Sequence, residues 1–214
     1  MKIGILGSGT VAQTLGAGFI KHGHEVMLGS GTPPKLADWQ AAHPRGRTGS
    51  FADAAEFAEL AVLAVKGTAA AAAMKAAGPQ RLAGKAVIDA TNPIAEAAPV
   101  HGVLQFFTGP NDSLLERLQR EFPALRLVKA FNSVGSAFMI DPAMQGGPPT
   151  MFICGDDEPA RHAVRALVES VGWEVADMGA AAAARAIEPL CMLWCIPGLL
   201  RGEWSHAFRL LKAA

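Results

Sequence analysis

Residues 2–12 read Lys2-Ile3-Gly4-Ile5-Leu6-Gly7-Ser8-Gly9-Thr10-Val11-Ala12. Lys2 to Leu6 is an apolar run too short for a helix and stopped by Gly7, the pattern of a buried parallel strand. From Thr10 to His22, Val11, Leu15, Phe19 and Ile20 recur at helical spacing, with Gly23 placed as a C-cap. A strand therefore turns into a helix through Gly7-Ser8-Gly9-Thr10-Val11-Ala12, a G-x-G-x-x-A run. Gly7 permits the tight turn, Gly9 leaves the backbone bare, and Ala12 lets helix and strand pack closely. The first-turn amides of Ser8, Gly9, Thr10 and Val11 then face outward with the positive helix end, a cradle for a pyrophosphate.

His24 to Leu28 completes a βαβ unit, whose crossover is right-handed if the two strands are parallel neighbours. An NAD site places Asp or Glu at the end of that second strand, to accept from the ribose hydroxyls. Here the chain reads Gly29-Ser30-Gly31-Thr32. A carboxylate would repel a 2′-phosphate, whereas Ser30 and Thr32 can donate to it and Lys35 can supply charge, so NADP(H) is preferred. The alternative is that the glycines form only a flexible turn and Lys35 a solvated charge.

The alternation continues outward. Helices are expected over residues 35–42, 51–57, 68–77, 114–122 and 159–171, and buried strands over 60–65, 86–90, 126–131, 150–154 and 173–177. A loop is expected around Pro44 to Thr48. This pattern predicts an α/β, doubly wound, mostly parallel Rossmann-type sheet with helices on both faces. Residues 180–194 form an Ala-rich helical run broken at Pro197-Gly198, and 203–211 a terminal helix. The expected division is therefore a dinucleotide-binding domain at 1–179 and a small C-terminal helical lobe at 180–214.

Composition removes other classes. Nineteen basic residues balance nineteen acidic ones, half the chain is hydrophobic and only 18% is charged. No basic footprint for nucleic acid or an anionic membrane exists. The chain begins at once with strand and motif, and its apolar stretches are interrupted by Gly, Pro or charge before the roughly 20 residues of a span. A cytoplasmic location without a membrane span is the expectation. Cys154, Cys191 and Cys195 are odd in number and lack metal spacing, as for reduced packing thiols, and no metal site is expected.

Together GSGTVA at 7–12, HEVMLGS at 24–30, AVLAVKG at 61–67, VIDATNP at 87–93, VKAFNSV at 128–134, FICGDD at 152–157 and GAAAAARAIEPL at 179–190 resemble the NADP-dependent deazaflavin coenzyme reductases. That family passes hydride between NADPH and 8-hydroxy-5-deazaflavin (coenzyme F-420), and it includes the NADPH-binding domain of the six-transmembrane metalloreductases. The resemblance implies Val65 and Lys66 beside the adenosine half of the cofactor and Asn92 and Pro93 near the nicotinamide. It also implies Ala130, Phe131 and Asn132 at the strand end where a second ring system stacks. The deazaflavin branch carries arginine where this chain has Gly31 and histidine where it has Asn132. The KAFN wording is nearer the metalloreductase branch.

The reading is thus an NADPH-dependent oxidoreductase acting on a small-molecule redox acceptor, a deazaflavin or a flavin, with a homodimer through the final lobe. Its rivals are a dinucleotide sensor without turnover and a reductase of a small imine or carbonyl. For the latter, His101 is the proton-donor candidate, against a plain surface role. Asp157 and its acidic neighbours read as a helix cap. Glu188 faces either the cleft or solvent. Met192, Trp194, Trp204 and Phe208 read as lobe packing, a ring pocket or a subunit interface.

Overall fold

The computed structural model describes residues 1–213. In chain order its elements are β1 (Lys2–Leu6), α1 (Thr10–Lys21), β2 (Glu25–Gly29), α2 (Ala37–Ala42), β3 (Arg47–Gly49), α3 (Phe51–Phe57), β4 (Leu60–Leu63), α4 (Ala70–Ala77), α5 (Pro79–Leu82) and β5 (Ala86–Asp89). There follow α6 (Leu114–Glu121), β6 (Arg126–Lys129), β7 (Thr150–Ile153), α7 (Glu158–Ser170), β8 (Glu174–Asp177), α8 (Ala184–Ile187) and α9 (Pro189–Arg201). Six strands form one parallel sheet in the order β3-β2-β1-β4-β5-β6. The reversal between β1 and β4 is the topological switch point at which open α/β sheets bind ligands.

Strand alternation sorts the core into two layers. Ile3, Ile5, Leu60, Val62, Ile88 and Val128 pack with α1 and α7. Leu6, Ala61, Leu63, Val87 and Leu127 pack with α3, α4 and α6 on the opposite face. A side chain at Gly4 would reach within 2.1 Å of the Ala54 carbonyl oxygen, so only glycine lets α3 lie this close to β1. The expected fold class holds: a Rossmann-type sheet covered on both faces.

Four expectations are corrected. Residues 47–49, read as loop, form the short edge strand β3, which pairs with Met27–Gly29. The last two strands do not lengthen the main sheet; β7 and β8 make a separate two-stranded parallel sheet. A single antiparallel bridge, Lys129 N–H to the Cys154 carbonyl at 2.8 Å, joins it to β6. Beyond Lys129 the chain leaves the ladder, with Phe131 at φ +62°.

Pro197 does not break the helix, because α9 continues to Arg201 and ends at Gly202 in the left-handed conformation. Finally, residues 203–211 are not helical. They run back along β7, where the Thr150 N–H donates to the Phe208 carbonyl at 2.9 Å and the Leu210 N–H to Thr150 Oγ1 at 3.0 Å. Intervening Gly202 and the anchoring of Trp194 Nε1 on the His206 carbonyl at 2.8 Å draw the segment out as extended chain.

Residues 181–201 are nearly continuous helix, so by length and composition one stretch of 21 residues, with a window of mean hydropathy 1.3, is long and apolar enough to span a membrane. The interruptions expected of every apolar stretch are present here, at Arg185, Glu188, Pro189 and Pro197, but they do not end the helical run. Arg185 and Glu188 lie inside it, ion-paired to Glu116 and Lys129 respectively.

Candidate active site

The turn between β1 and α1 fits a pyrophosphate. Gly7 N–H donates to the Gly29 carbonyl at 2.9 Å, tying the turn to the end of β2. A side chain at Gly7 would come within 2.2 Å of the Ala64 carbonyl oxygen and 3.0 Å of Ala12 Cβ. Gly9 is different. It is the N-cap of α1 with ordinary extended φ, no side chain caps the helix, and a Cβ there would meet nothing within 4 Å. The open space lies in front of first-turn N–H groups that have no intrahelical acceptor. Gln13 Nε2 holds the Ser8 carbonyl at 2.9 Å, which fixes the entry to the turn. A cradle that a Cβ would fill is what an anion needs here.

Val11 opens onto a cavity of about 420 Å³, which Val65, Lys66, Gly67, Thr68, Ala90, Thr91 and Asn92 also line. Four expected site residues, Val11, Val65, Lys66 and Asn92, therefore meet in one cleft at the carboxyl ends of β1, β4 and β5. Pro93 is buried beside it. Ser30 is buried, and its Oγ accepts from the Thr32 N–H at 3.0 Å; Thr32 and Lys35 are exposed on the following turn. Ala130, Phe131 and Asn132 are all buried, so the Phe131 ring lies in the core rather than on a stacking surface. His101, at φ +51°, sits exposed on a loop whose Gly102 lies against Leu200.

Under the cleft floor lies a group of residues that the sequence reading did not assemble. Asp89 and Lys129 are cross-strand partners at the ends of β5 and β6. Lys129 Nζ, wholly buried, is 2.6 Å from Asp89 Oδ2, 2.8 Å from Glu188 Oε1 and 3.0 Å from the Thr91 carbonyl oxygen. Glu188 was expected at the cleft or the surface. It is instead 1% exposed and accepts the N–H groups of Leu114 and Leu115 at 2.9 and 3.0 Å, capping α6. Asp89 Oδ1 accepts the N–H and hydroxyl of Thr91 at 2.9 and 2.6 Å.

Burial pushes the Lys129 ammonium down, but the two carboxylates more than offset it and hold its pKa above the usual lysine value. The signal was present in the sequence: AVID and RLVK each end an apolar strand on a charge, of opposite sign.

Immediately above, Asn92 Nδ2 donates to the Asn132 carbonyl at 2.8 Å, and Asn132 Nδ2 donates to Asn92 Oδ1 at 3.2 Å and to the Ile187 carbonyl at 3.1 Å. Among the described residues no cluster has metal-ligand composition. Asp157 accepts from the Ala160 N–H at 2.8 Å, the expected cap. Burial pushes the Cys154 thiol up to about 12, leaving it inert. Trp194 is buried, stacks on His206 with ring centroids 5.0 Å apart, and packs at a tilt against Trp204 with centroids 5.4 Å apart.

Comparison with known proteins matches this architecture. The family model described as "NADP oxidoreductase coenzyme F420-dependent" matches residues 2–93. A solved structure from Arthrobacter sp. FB24, a candidate F420-dependent NADP-reductase, is 34% identical, covers 99% of this chain and 100% of its own, and superimposes with a TM-score of 0.91. Rat metalloreductase STEAP3 is 32% identical over 203 residues, 93% of this chain; the chain spans 39% of that protein's length.

A reductive aminase from Aspergillus terreus, solved with NADPH and ethyl-5-oxohexanoate, shares the fold at 19% identity and TM-score 0.67, over 94% of this chain and 63% of the aminase. With both the phosphate turn and the strand-end cleft in place, the chain belongs to the NADP oxidoreductase family described as coenzyme F420-dependent.

Proposed function

We propose that this NADP-dependent oxidoreductase transfers hydride between NADP(H) and a second redox cofactor or small acceptor, a deazaflavin (coenzyme F420) or a flavin. The observation that carries the reading is the bare cradle at Gly9, which opens through Val11 into the cleft at the ends of β4 and β5. NADPH supplies the hydride when bound, and the reaction then depends on holding two planar rings face to face rather than on an acid or base of the protein.

The chain's own contribution is binding and alignment. The amides of Gly9, Thr10 and Val11 hold the diphosphate, with Gly7 shaping the turn and Ser8 fixed by Gln13. Ser30, Thr32 and Lys35 hold the 2′-phosphate. Val65, Lys66, Asn92 and Pro93 bound the remainder, while Ala130 and Asn132 support the strand end from below. The final lobe, 180–214, is proposed as a distinct unit. Its α9 exposes Leu193, Leu199 and Leu200, near Gly102 and the exposed Val100 and Val103, and a homodimer would cover this surface. Size-exclusion chromatography with light scattering reads that directly.

Titration with NADPH, followed by tryptophan quenching and the melting temperature, tests the binding reading. Saturation with a raised Tm is expected, and no response at millimolar cofactor overturns it. A panel of acceptors with NADPH (deazaflavin, flavin, ferric chelate, cyclic imine) tests the reaction. Oxidation with the deazaflavin or flavin is expected. Turnover with the imine alone, abolished in His101→Ala, replaces the reading with an imine reductase, and binding without any turnover replaces it with a sensor.

A further inference from the structure

Three distant segments each deliver two groups to the floor of the cleft. The end of β5 brings Asp89 and, three residues on, Asn92. The end of β6 brings Lys129 and, three residues on, Asn132. The junction of α8 and α9 brings Glu188 and the carbonyl of the preceding Ile187. The lower set is the ion triad Asp89–Lys129–Glu188, at 2.6 and 2.8 Å. The upper set is the amide lattice in which Asn132 bonds to Asn92 and Ile187 at 3.2 and 3.1 Å. The same short stretches of backbone join the two layers.

An ammonium has three donors and no acceptor. Lys129 lies within ion-pair distance of both carboxylates and donates a hydrogen bond to the Thr91 carbonyl, 3.0 Å away. Thr91 and Asn92 themselves line the cleft. Burying three charges stabilises a fold no better than an apolar cluster of the same shape would. What the triad supplies is direction, because three segments cannot shift independently without stranding a charge.

We propose that Lys129 is a positioning residue of the cleft, fixing the Thr91–Asn92 floor against Asn132 and so aligning the nicotinamide half of the dinucleotide. The inference rests on the reading that this cleft binds NADP(H), and it assigns the alignment of the nicotinamide to a residue that does not touch it. The phosphate turn, built on β1 and α1, lies outside its reach.

The test compares NADPH with 2′-phospho-ADP-ribose, which has both phosphate groups and no nicotinamide, by titration calorimetry on the full chain. In Lys129→Met, NADPH affinity falls about tenfold, and in the near-isosteric Glu188→Gln about threefold, while the fragment binds within about twofold of wild type in both. The blue shift of bound NADPH emission shrinks in parallel.

Equal losses for NADPH and fragment would mark the triad as a general structural element and overturn the proposal, as would unchanged NADPH binding. If Lys129→Met fails to fold, Glu188→Gln decides by the same ratio. A wild-type chain that binds neither compound removes the cleft reading and the positioning role with it. A wild-type chain that binds the fragment and NADPH, with variants that do not separate them, removes only the latter.

Discussion

The phosphate turn and the floor of the cleft are built by opposite means. The turn is local: six consecutive residues, mostly backbone, with Gly9 giving open space and Gly7 a tight fit. The floor is assembled from the side chains of Asp89, Asn92, Lys129, Asn132 and Glu188, anchored on the carbonyls of Thr91, Asn132 and Ile187, with no two segments adjacent in sequence. A backbone site survives most changes to its neighbours but fails when a side chain enters it. A side-chain site fails when any one contributor is lost. Substitutions should therefore act on ligand affinity at the open position of the turn, on packing at its tight position, and on stability and alignment in the floor.

The largest effect expected from that contrast is on stability. Lys129→Met leaves two buried carboxylates facing each other and should cost about 3–5 kcal/mol in urea unfolding. Because the folded-state pKa of Lys129 is raised, its stabilisation is complete below the ordinary lysine value of about 10.4 and is lost as pH rises through the folded value. The gap between wild type and variant should therefore be flat from pH 6 to 9 and close only in strong alkali; a gap that closed near neutrality would contradict the ion triad.

Next come two glycines separated by one residue. Gly7→Ala meets the Ala64 carbonyl and should destabilise the fold by about 2–3 kcal/mol. In Gly9→Ala the added Cβ meets nothing within 4 Å in the free protein, so the cost should stay at about 1 kcal/mol from the poorer N-cap, yet NADPH affinity should fall about tenfold or more. Equal behaviour of the pair in calorimetry would show that the open space is not the phosphate seat.

A smaller effect is expected at the 2′-phosphate. Lys35→Ala should narrow the preference for NADP over NAD by about fivefold, since one exposed charge-assisted contact is removed. Competition binding with the two cofactors measures it, and unchanged discrimination would shift the role to Ser30 and Thr32 alone.

The smallest concerns the brace between α6 and α8. The Arg185 guanidinium, together with the Ser113 hydroxyl, holds the Glu116 carboxyl below its usual range against a partial burial penalty. Its contribution is present above the ordinary glutamate value and is lost as pH falls through the lower folded value. Glu116→Gln should cost less than about 1 kcal/mol at pH 7, and the difference from wild type should shrink as pH falls below the ordinary glutamate value and vanish below the lower folded one.

Much of the fold was legible because its signals are short-range. Apolar runs of four or five residues, helical spacing at Val11, Leu15 and Phe19, and the glycine turn at 7–9 each act within a dozen residues. Misreadings arose where a distant partner decides. The Glu203–Leu211 segment has helical composition but is drawn out by hydrogen bonds to Thr150. Residues 47–49 look like loop but find β2 as a neighbour. Glu188 looks like a surface glutamate, yet it caps a helix that starts 74 residues earlier in the chain.

The sequence by itself determined the parallel sheet, the phosphate turn after the first strand and the absence of a carboxylate at the end of the second, because each depends on contacts between near neighbours. Only the tertiary structure decided the strand order, the separation of β7 and β8 from the main sheet and the meeting of Asp89, Lys129 and Glu188. Those outcomes depend on which remote charge or unpaired backbone group must be satisfied once water has been excluded, and no local pattern encodes that choice.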